Sequence, residues 1–171
     1  MTSKGLTDNT GKTIATEREG TERNVMTSMI FMATSDAPTL FFGINKSDHV
    51  HYYHGGGSFT YITVEENGNV YEVTLGPNVL AGEKLQIIFR AGCFKAGYLN
   101  GDCCIIGEAV APGFDFRDFA FVDEPMLEDR VSKSNFDKYL RFIKPDRRRN
   151  FHDYYSVSGK YVDDVPASKV A

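Results

Sequence analysis

The sequence predicts an all-β domain of the barrel or sandwich kind, and three observations lead there. Apolar or alternating segments of strand length recur from Asn24 to Val110, at a spacing of roughly 8–12 residues. Turn-forming residues close each segment, such as Ser35-Asp36-Ala37-Pro38 and Gly76-Pro77-Asn78. Helical periodicity is scarce before residue 124, so a parallel sheet built from βαβ units finds no support.

The elements follow in order. Residues 1–23 are polar, rich in Thr, Gly and Glu, and read as a loose arm with one edge strand expected around Lys12 to Arg18. Met26 to Ala33 and Thr39 to Ile44 are apolar runs of strand length, the second closed by Asn45-Lys46-Ser47-Asp48. His49 to His54 runs into a break at Gly55-Gly56-Gly57. Ser58 to Val64 alternates, with Phe59, Tyr61 and Thr63 on one face and Thr60, Ile62 and Val64 on the other. Asn67-Gly68 marks a hairpin leading into Val70 to Leu75. Lys84 to Phe89, Cys93 to Tyr98 and Cys103 to Val110 complete a barrel expected over residues 24–123.

Residues 124–171 read as a helical and polar tail. Glu124 to Val131 and Ser134 to Ile143 are the helix candidates. In the second, Phe136, Tyr139, Leu140 and Ile143 form one stripe, and Pro145 ends it. Beyond lie Lys144-Pro145-Asp146-Arg147-Arg148-Arg149 and the aromatics Phe151, Tyr154, Tyr155 and Tyr161. A phosphate or nucleic-acid patch with stacking aromatics is one reading of that mixture. Docking against the barrel or a second subunit is the preferred one, because the chain as a whole is acidic.

Composition bounds the function classes. At 171 residues one domain is expected, burying about two-thirds of its unfolded surface. A net charge of -4 gives no global electrostatic footprint for nucleic acid. No run approaches the ~18 apolar residues that cross a bilayer. The first residues lack the apolar core of a secretory signal. Cys93, Cys103 and Cys104, an odd count with one adjacent pair, form no disulfide framework and no zinc motif of recognised spacing. A cytoplasmic protein is expected.

One stretch carries a resemblance. Ala111-Pro112-Gly113-Phe114-Asp115-Phe116-Arg117-Asp118-Phe119 resembles the closing signature of a family of short cupins, V-A-P-G-F-D-F-x-D-F. Upstream, Ser47-Asp48-His49-Val50-His51-Tyr52-Tyr53-His54-Gly55-Gly56 is similar to that family's S-D-E-x-W-H-F-Y-x-G. Leu75-Gly76-Pro77, Ala81-Gly82, Gln86 and Ala91-Gly92-Cys93-Phe94 match further turns in the same order. The resemblance covers about residues 10–123. It implies a double-stranded β-helix, the cupin jelly-roll barrel, here with a short C-terminal helical or irregular extension, and a homodimer. It also implies distant kinship to sugar-nucleotide epimerases and isomerases. It implies no reaction, because the family has no agreed one and a fold alone supplies none.

Departures from the pattern matter as much. Metal-binding cupins place two His, a Glu and a third His inside the barrel. In this sequence the Glu position corresponds to His49 and the third His to Lys95, while the first two His fall on Phe41-Phe42-Gly43-Ile44. An ammonium at Lys95 repels a divalent ion, so no metal and no other cofactor is expected.

Alternation puts His49, His51 and Tyr53 on one strand face and Val50, Tyr52 and His54 on the other. With the Glu-equivalent position inward, His49, His51 and Tyr53 line the barrel together with Lys95 and Cys93. Glu108 sits among apolar neighbours and needs a partner, for which Lys95 or a His is the natural choice. His49 and Tyr53 are the candidate catalytic pair, a base and an acid suited to proton transfer beside a carbonyl. His51, Lys95 and Glu108 are the candidate ligand-binding residues. Asp115 and Asp118 are expected to cap the turn after Gly113, and Arg90 to sit on the rim.

Three function classes remain open. The first is a module binding a small polar molecule in the barrel without a metal. The second is an isomerase or epimerase acting on a sugar nucleotide or similar carbonyl compound through a His/Tyr pair. The third is a structural or assembly protein whose working surface is the tail.

Overall fold

The computed structural model describes residues 6–7, 13–18 and 22–149. Among these described residues there are ten strands: β1 (Leu6–Thr7), β2 (Thr13–Ala15), β3 (Glu22–Asn24), β4 (Thr27–Thr34), β5 (Thr39–Asn45), β6 (Asp48–Val64), β7 (Val70–Leu75), β8 (Gln86–Phe89), β9 (Phe94–Ala111) and β10 (Phe119–Phe121). Two helices follow, α1 (Glu124–Arg130) and α2 (Lys133–Tyr139). The architecture is the jelly roll the sequence predicts, with antiparallel pairing and a short helical part at the C-terminal end.

Two long strands organise it. β6 and β9 pair antiparallel from Asp48↔Ala111 to Val64↔Phe94 and belong to both layers of the fold. The first half of β6 and the second half of β9 lie between β8 and β4. Their other halves lie between β7 and β5, with β10 beyond β5.

The sequence places a break at Gly55-Gly56-Gly57 and again between Tyr98 and Cys103, yet each long strand runs through. The register shifts between Tyr53/Gly55 and Gly56/Ser58, so the glycines form a creased, bulged strand rather than a loop. Gly56 has φ +88, and a Cβ there would collide with the Cys103 carbonyl oxygen. A Cβ on Gly57 would collide with the Asn100 carbonyl. The crease needs residues without side chains, which is why it reads as a turn in the sequence.

Strand alternation then sorts the interior. Facing inward, Phe59, Tyr61, Ile87, Phe89, Cys104 and Ile106 form one buried cluster. The opposite face of the β7–β6–β9–β5 layer, with Phe42, Ile62, Val64, Phe94 and Ala96, is covered by the C-terminal helices through Leu127, Phe136, Tyr139, Phe142 and Ile143. The expected stripe is correct at Phe136, Tyr139 and Ile143, whereas Phe142 takes the buried place expected of Leu140. α2 ends at Tyr139 and Leu140–Phe142 is a 3₁₀ turn, so the periodicity changes from 3.6 to 3. Asp123 and Ser132 cap the two helices through bonds accepted from the Met126 and Asn135 amides.

The arm holds more structure than one edge strand. β2 and β3 pair as a hairpin, and β1 adds to β4. Its anchor is Asp118, buried and held by Arg23 at 2.8 and 3.0 Å and by Arg18 at 2.9 Å. Asp115 caps the short helical turn by accepting from the Arg117 amide at 2.9 Å. The capping expected of both aspartates thus falls to Asp115, while the Asp118 carboxylate goes to the two arginines. Lys12 and the aromatics from Phe151 onward lie outside the described residues. Within the basic run, Arg148 donates to the Ile143 and Arg141 carbonyls, and Arg149 pairs with Glu128 at 2.6 Å.

Helix docking is a packing claim with a measurable size. Phe142→Ala is expected to cost about 3–5 kcal/mol in urea unfolding, and Leu140→Ala clearly less. Equal losses in the two variants, or a Phe142→Ala loss under about 1 kcal/mol, would contradict the packing.

Candidate functional site

Four polar side chains converge inside the barrel from opposite layers. β6 supplies His49 and His51, and β9 supplies Glu108 directly opposite His51 in the ladder. Lys95 comes from the other end of β9, where it pairs with Gly43 and Thr63, and reaches across the interior. Its Nζ lies 2.8 Å from His49 Nε2 and 2.7 Å from His51 Nε2. Glu108 Oε1 is 3.7 Å from Lys95 Nζ and 3.2 Å from His51 Nε2.

The Ser47 carbonyl fixes the tautomer of His49, and the Lys95 ammonium that of His51. His49 Nδ1 lies 3.1 Å from the Ser47 carbonyl oxygen, which only accepts, so Nδ1 carries the proton. Its Nε2 lone pair therefore accepts from Lys95. In His51 the Lys95 ammonium at 2.7 Å lies closer to Nε2 than the Glu108 oxygen at 3.2 Å, so Nε2 accepts from Lys95 and Nδ1–H donates to the Tyr61 hydroxyl oxygen at 2.7 Å. Phe89 underlies the group, stacked on His49 at 5.3 Å and 4.9 Å from the Lys95 ammonium.

The electrostatics agree with an ammonium shared among neutral imidazoles and one carboxylate. Burial, reinforced by the Lys95 charge, lowers His49 to about 4 and His51 to about 3. Burial alone would favour the neutral form of Glu108. The Lys95 charge outweighs it and holds the carboxyl well below the usual carboxylate range. Burial lowers Lys95, against the pull of Glu108. The Tyr61 phenol is pushed up by burial and stays protonated.

Above this floor opens a cavity of about 550 Å³. Its walls are mainly apolar, with Phe31, Leu40, Phe41, Ile44, Phe114 and Phe119 among them. Phe116 also lines it and is 82% exposed, which places it at the mouth.

Of the sequence-predicted site residues, the structure brings His49, His51, Lys95 and Glu108 together. Tyr53 is elsewhere: its hydroxyl donates to the Gly56 carbonyl at 2.6 Å, at the crease, and it is not among the cavity-lining residues. The phenol beside the histidines is Tyr61. The alternation of Phe59, Tyr61 and Thr63 held that signal, but only the ladder shows which face meets His51. Arg90 pairs with Asp48 on the exposed rim at 2.8 Å.

The donor set invites a metal. One atom each from His49, His51 and Glu108 lie within 4.8 Å of one another, so Glu108 adds a third donor to the two imidazoles. The Lys95 ammonium, however, holds both Nε2 lone pairs. With Lys95 in place the residues do not fit a divalent ion.

A cupin-type barrel with an interior His/Lys/Glu cluster is thus the class of protein defined by fold and site. The chain belongs to the family described as Cupin superfamily (DUF985), whose model matches residues 5–122. It is 33% identical over 107 residues to uncharacterized protein YML079W of Saccharomyces cerevisiae, covering 58% of this chain and 52% of that one. The chain thus spans about half the length of this curated relative. Among solved structures it is similar to protein SO0799 from Shewanella oneidensis, with TM-score 0.62, 25% identity, and coverage of 71% of this chain and 75% of that one. A hypothetical protein from Leishmania major gives TM-score 0.62 at 22% identity, covering 69% and 76%.

The histidine environment sets an acid sensitivity. Below their ordinary value of 6.5 the histidines of the unfolded chain take up protons that the folded site refuses. Stability therefore falls as pH falls from about 6.5 to about 4, by on the order of 2–3 kcal/mol for each histidine. Urea unfolding at stepped pH should show this loss, and His51→Asn should show roughly half of it. Equal pH slopes in the two proteins would contradict neutral buried histidines.

Proposed function

We propose that this protein binds a small molecule inside the barrel, without a metal ion, using the cavity walls for an apolar body and the Lys95 cluster for an oxygen-bearing end. The observation that carries the reading is the convergence of His49, His51, Lys95 and Glu108 at the floor of a mainly apolar cavity of about 550 Å³. Few polar groups fixing one end of a ligand in an apolar pocket is the usual form of a small-molecule site. Three free thiols, Cys93, Cys103 and Cys104, suit a reducing cytoplasm.

A second reading is an isomerase or epimerase acting on a sugar nucleotide or similar carbonyl compound. It is favoured by the His51–Tyr61 contact, a His/Tyr pair beside the cavity, in place of the His49/Tyr53 pair. His49 and His51 line the cavity and Tyr61 does not, so the histidines would meet the substrate first. Deuterium incorporation from solvent into a keto-sugar nucleotide, abolished by His49→Ala, would favour this reading. No exchange in the wild-type protein would end it.

We propose further that the protein is a homodimer formed through the outer face of the β4–β9–β6–β8 layer. The other layer's outer face is covered by the helices, but here Ile30, Met32, Tyr52, Ile88 and Ile105 are all exposed, Ile30 at 67%. They surround Ala109 and Gly107, over which the His54 ring packs, and form an exposed apolar patch of the kind that marks a protein–protein contact. A second copy of the chain is the occupant implied by the resemblance to short cupins.

Two measurements follow. Anilinonaphthalene sulfonate, an apolar ring system with an anionic head, is expected to bind one per chain by fluorescence titration. Lys95→Met should weaken it about tenfold or more, and Met29→Trp should block it by narrowing the cavity. An affinity unchanged by both substitutions would remove the cavity from consideration. Light scattering should give a dimer for the wild type and a monomer for Ile30→Asp/Ile88→Asp. A monomeric wild type would refute the dimer.

A further inference from the structure

We infer that the Lys95 ammonium is a tethered replacement for a divalent metal ion, and that this one side chain keeps a complete metal site closed. Three features of the site carry it. His49, His51 and Glu108 present one donor atom each within 4.8 Å of one another, the ligand count and kind that a His₂-carboxylate centre uses. Both imidazoles are already set for such a role: each spends its Nδ1–H on an outer oxygen, the Ser47 carbonyl and the Tyr61 hydroxyl, and aims its Nε2 lone pair inward. That is the outer-contact arrangement that orients metal-ligating histidines.

The third feature is what the lone pairs meet. Lys95 Nζ lies 2.8 and 2.7 Å from the two Nε2 atoms and 3.7 Å from Glu108 Oε1, so the protein's own cation stands among all three donors. It arrives from the opposite layer, because Lys95 is at the far end of β9 from Glu108. A dication entering the group meets a positive charge inside an apolar cavity, where screening is weak. The ammonium supplies fixed positive charge without the open coordination position that a bound ion keeps for a substrate. The inference concerns the cluster itself and stands whatever the cavity binds.

The test is zinc binding to the intact chain by titration calorimetry, with elemental analysis of the dialysed protein and circular dichroism to confirm folding. Lys95→Met leaves an unbranched side chain one heavy atom shorter and removes its charge. It is expected to take up one zinc ion per chain, roughly a hundredfold more tightly than the wild type. Cobalt bound to the same variant should give the visible absorption of a low-coordinate nitrogen and oxygen site. Lys95→Met/His49→Ala should lose the gained ion, which separates this site from His54 and other surface donors. Two results would overturn the inference: a wild type that binds one zinc as tightly as Lys95→Met, or a folded Lys95→Met that gains none.

Discussion

The β6–β9 ribbon is the constraint on which the rest of the molecule depends. It is one antiparallel pair long enough to belong to both layers, and the glycine crease lets it turn from one to the other without breaking its ladder. That geometry puts the two ends of β9 on opposite walls of the barrel. Glu108 stays beside His51 on one wall, while Lys95 reaches the same point from the other. A site assembled this way is also a tie between layers. Its charge is balanced inside the barrel, one ammonium against one carboxylate, with two neutral imidazoles as acceptors.

The two outer faces of the barrel are treated differently. One is sealed by α1, α2 and the following 3₁₀ turn, which bury Leu127, Phe136, Tyr139, Phe142 and Ile143. The other keeps Ile30, Met32 and Ile88 at the surface. The cavity mouth lies near the segment that carries Phe114, Phe116 and Phe119, and Asp118 of that segment anchors the arm through Arg18 and Arg23. Barrel closure, cavity wall and arm thus meet in one short stretch of chain.

Most of the strands were legible in the sequence because alternation and turn residues mark them directly. The crease was not, since Gly55-Gly56-Gly57 looks the same as a loop until its ladder partners Asn100 and Cys103 are known. The interior set of His49, His51, Lys95 and Glu108 was legible because period-2 faces and an otherwise apolar strand isolate it. The phenol was not: Tyr53 shares the inward face of β6 by parity, but the bulge that begins at Tyr53 turns its hydroxyl to Gly56 and leaves Tyr61 against His51. The reach of Arg23 to Asp118 joins residues 95 positions apart, and no local pattern reports such a pair.

The central claim is that a protonated Lys95 is held by two neutral histidines through their Nε2 lone pairs. Nitrogen-15 NMR of the imidazoles tests it most directly, by reading the tautomer and titration of His49 and His51. The account predicts that both rings carry their proton on Nδ1 at neutral pH and stay neutral as the pH is lowered toward 5. Either ring protonated on Nε2, or titrating near its ordinary value of 6.5, would contradict it.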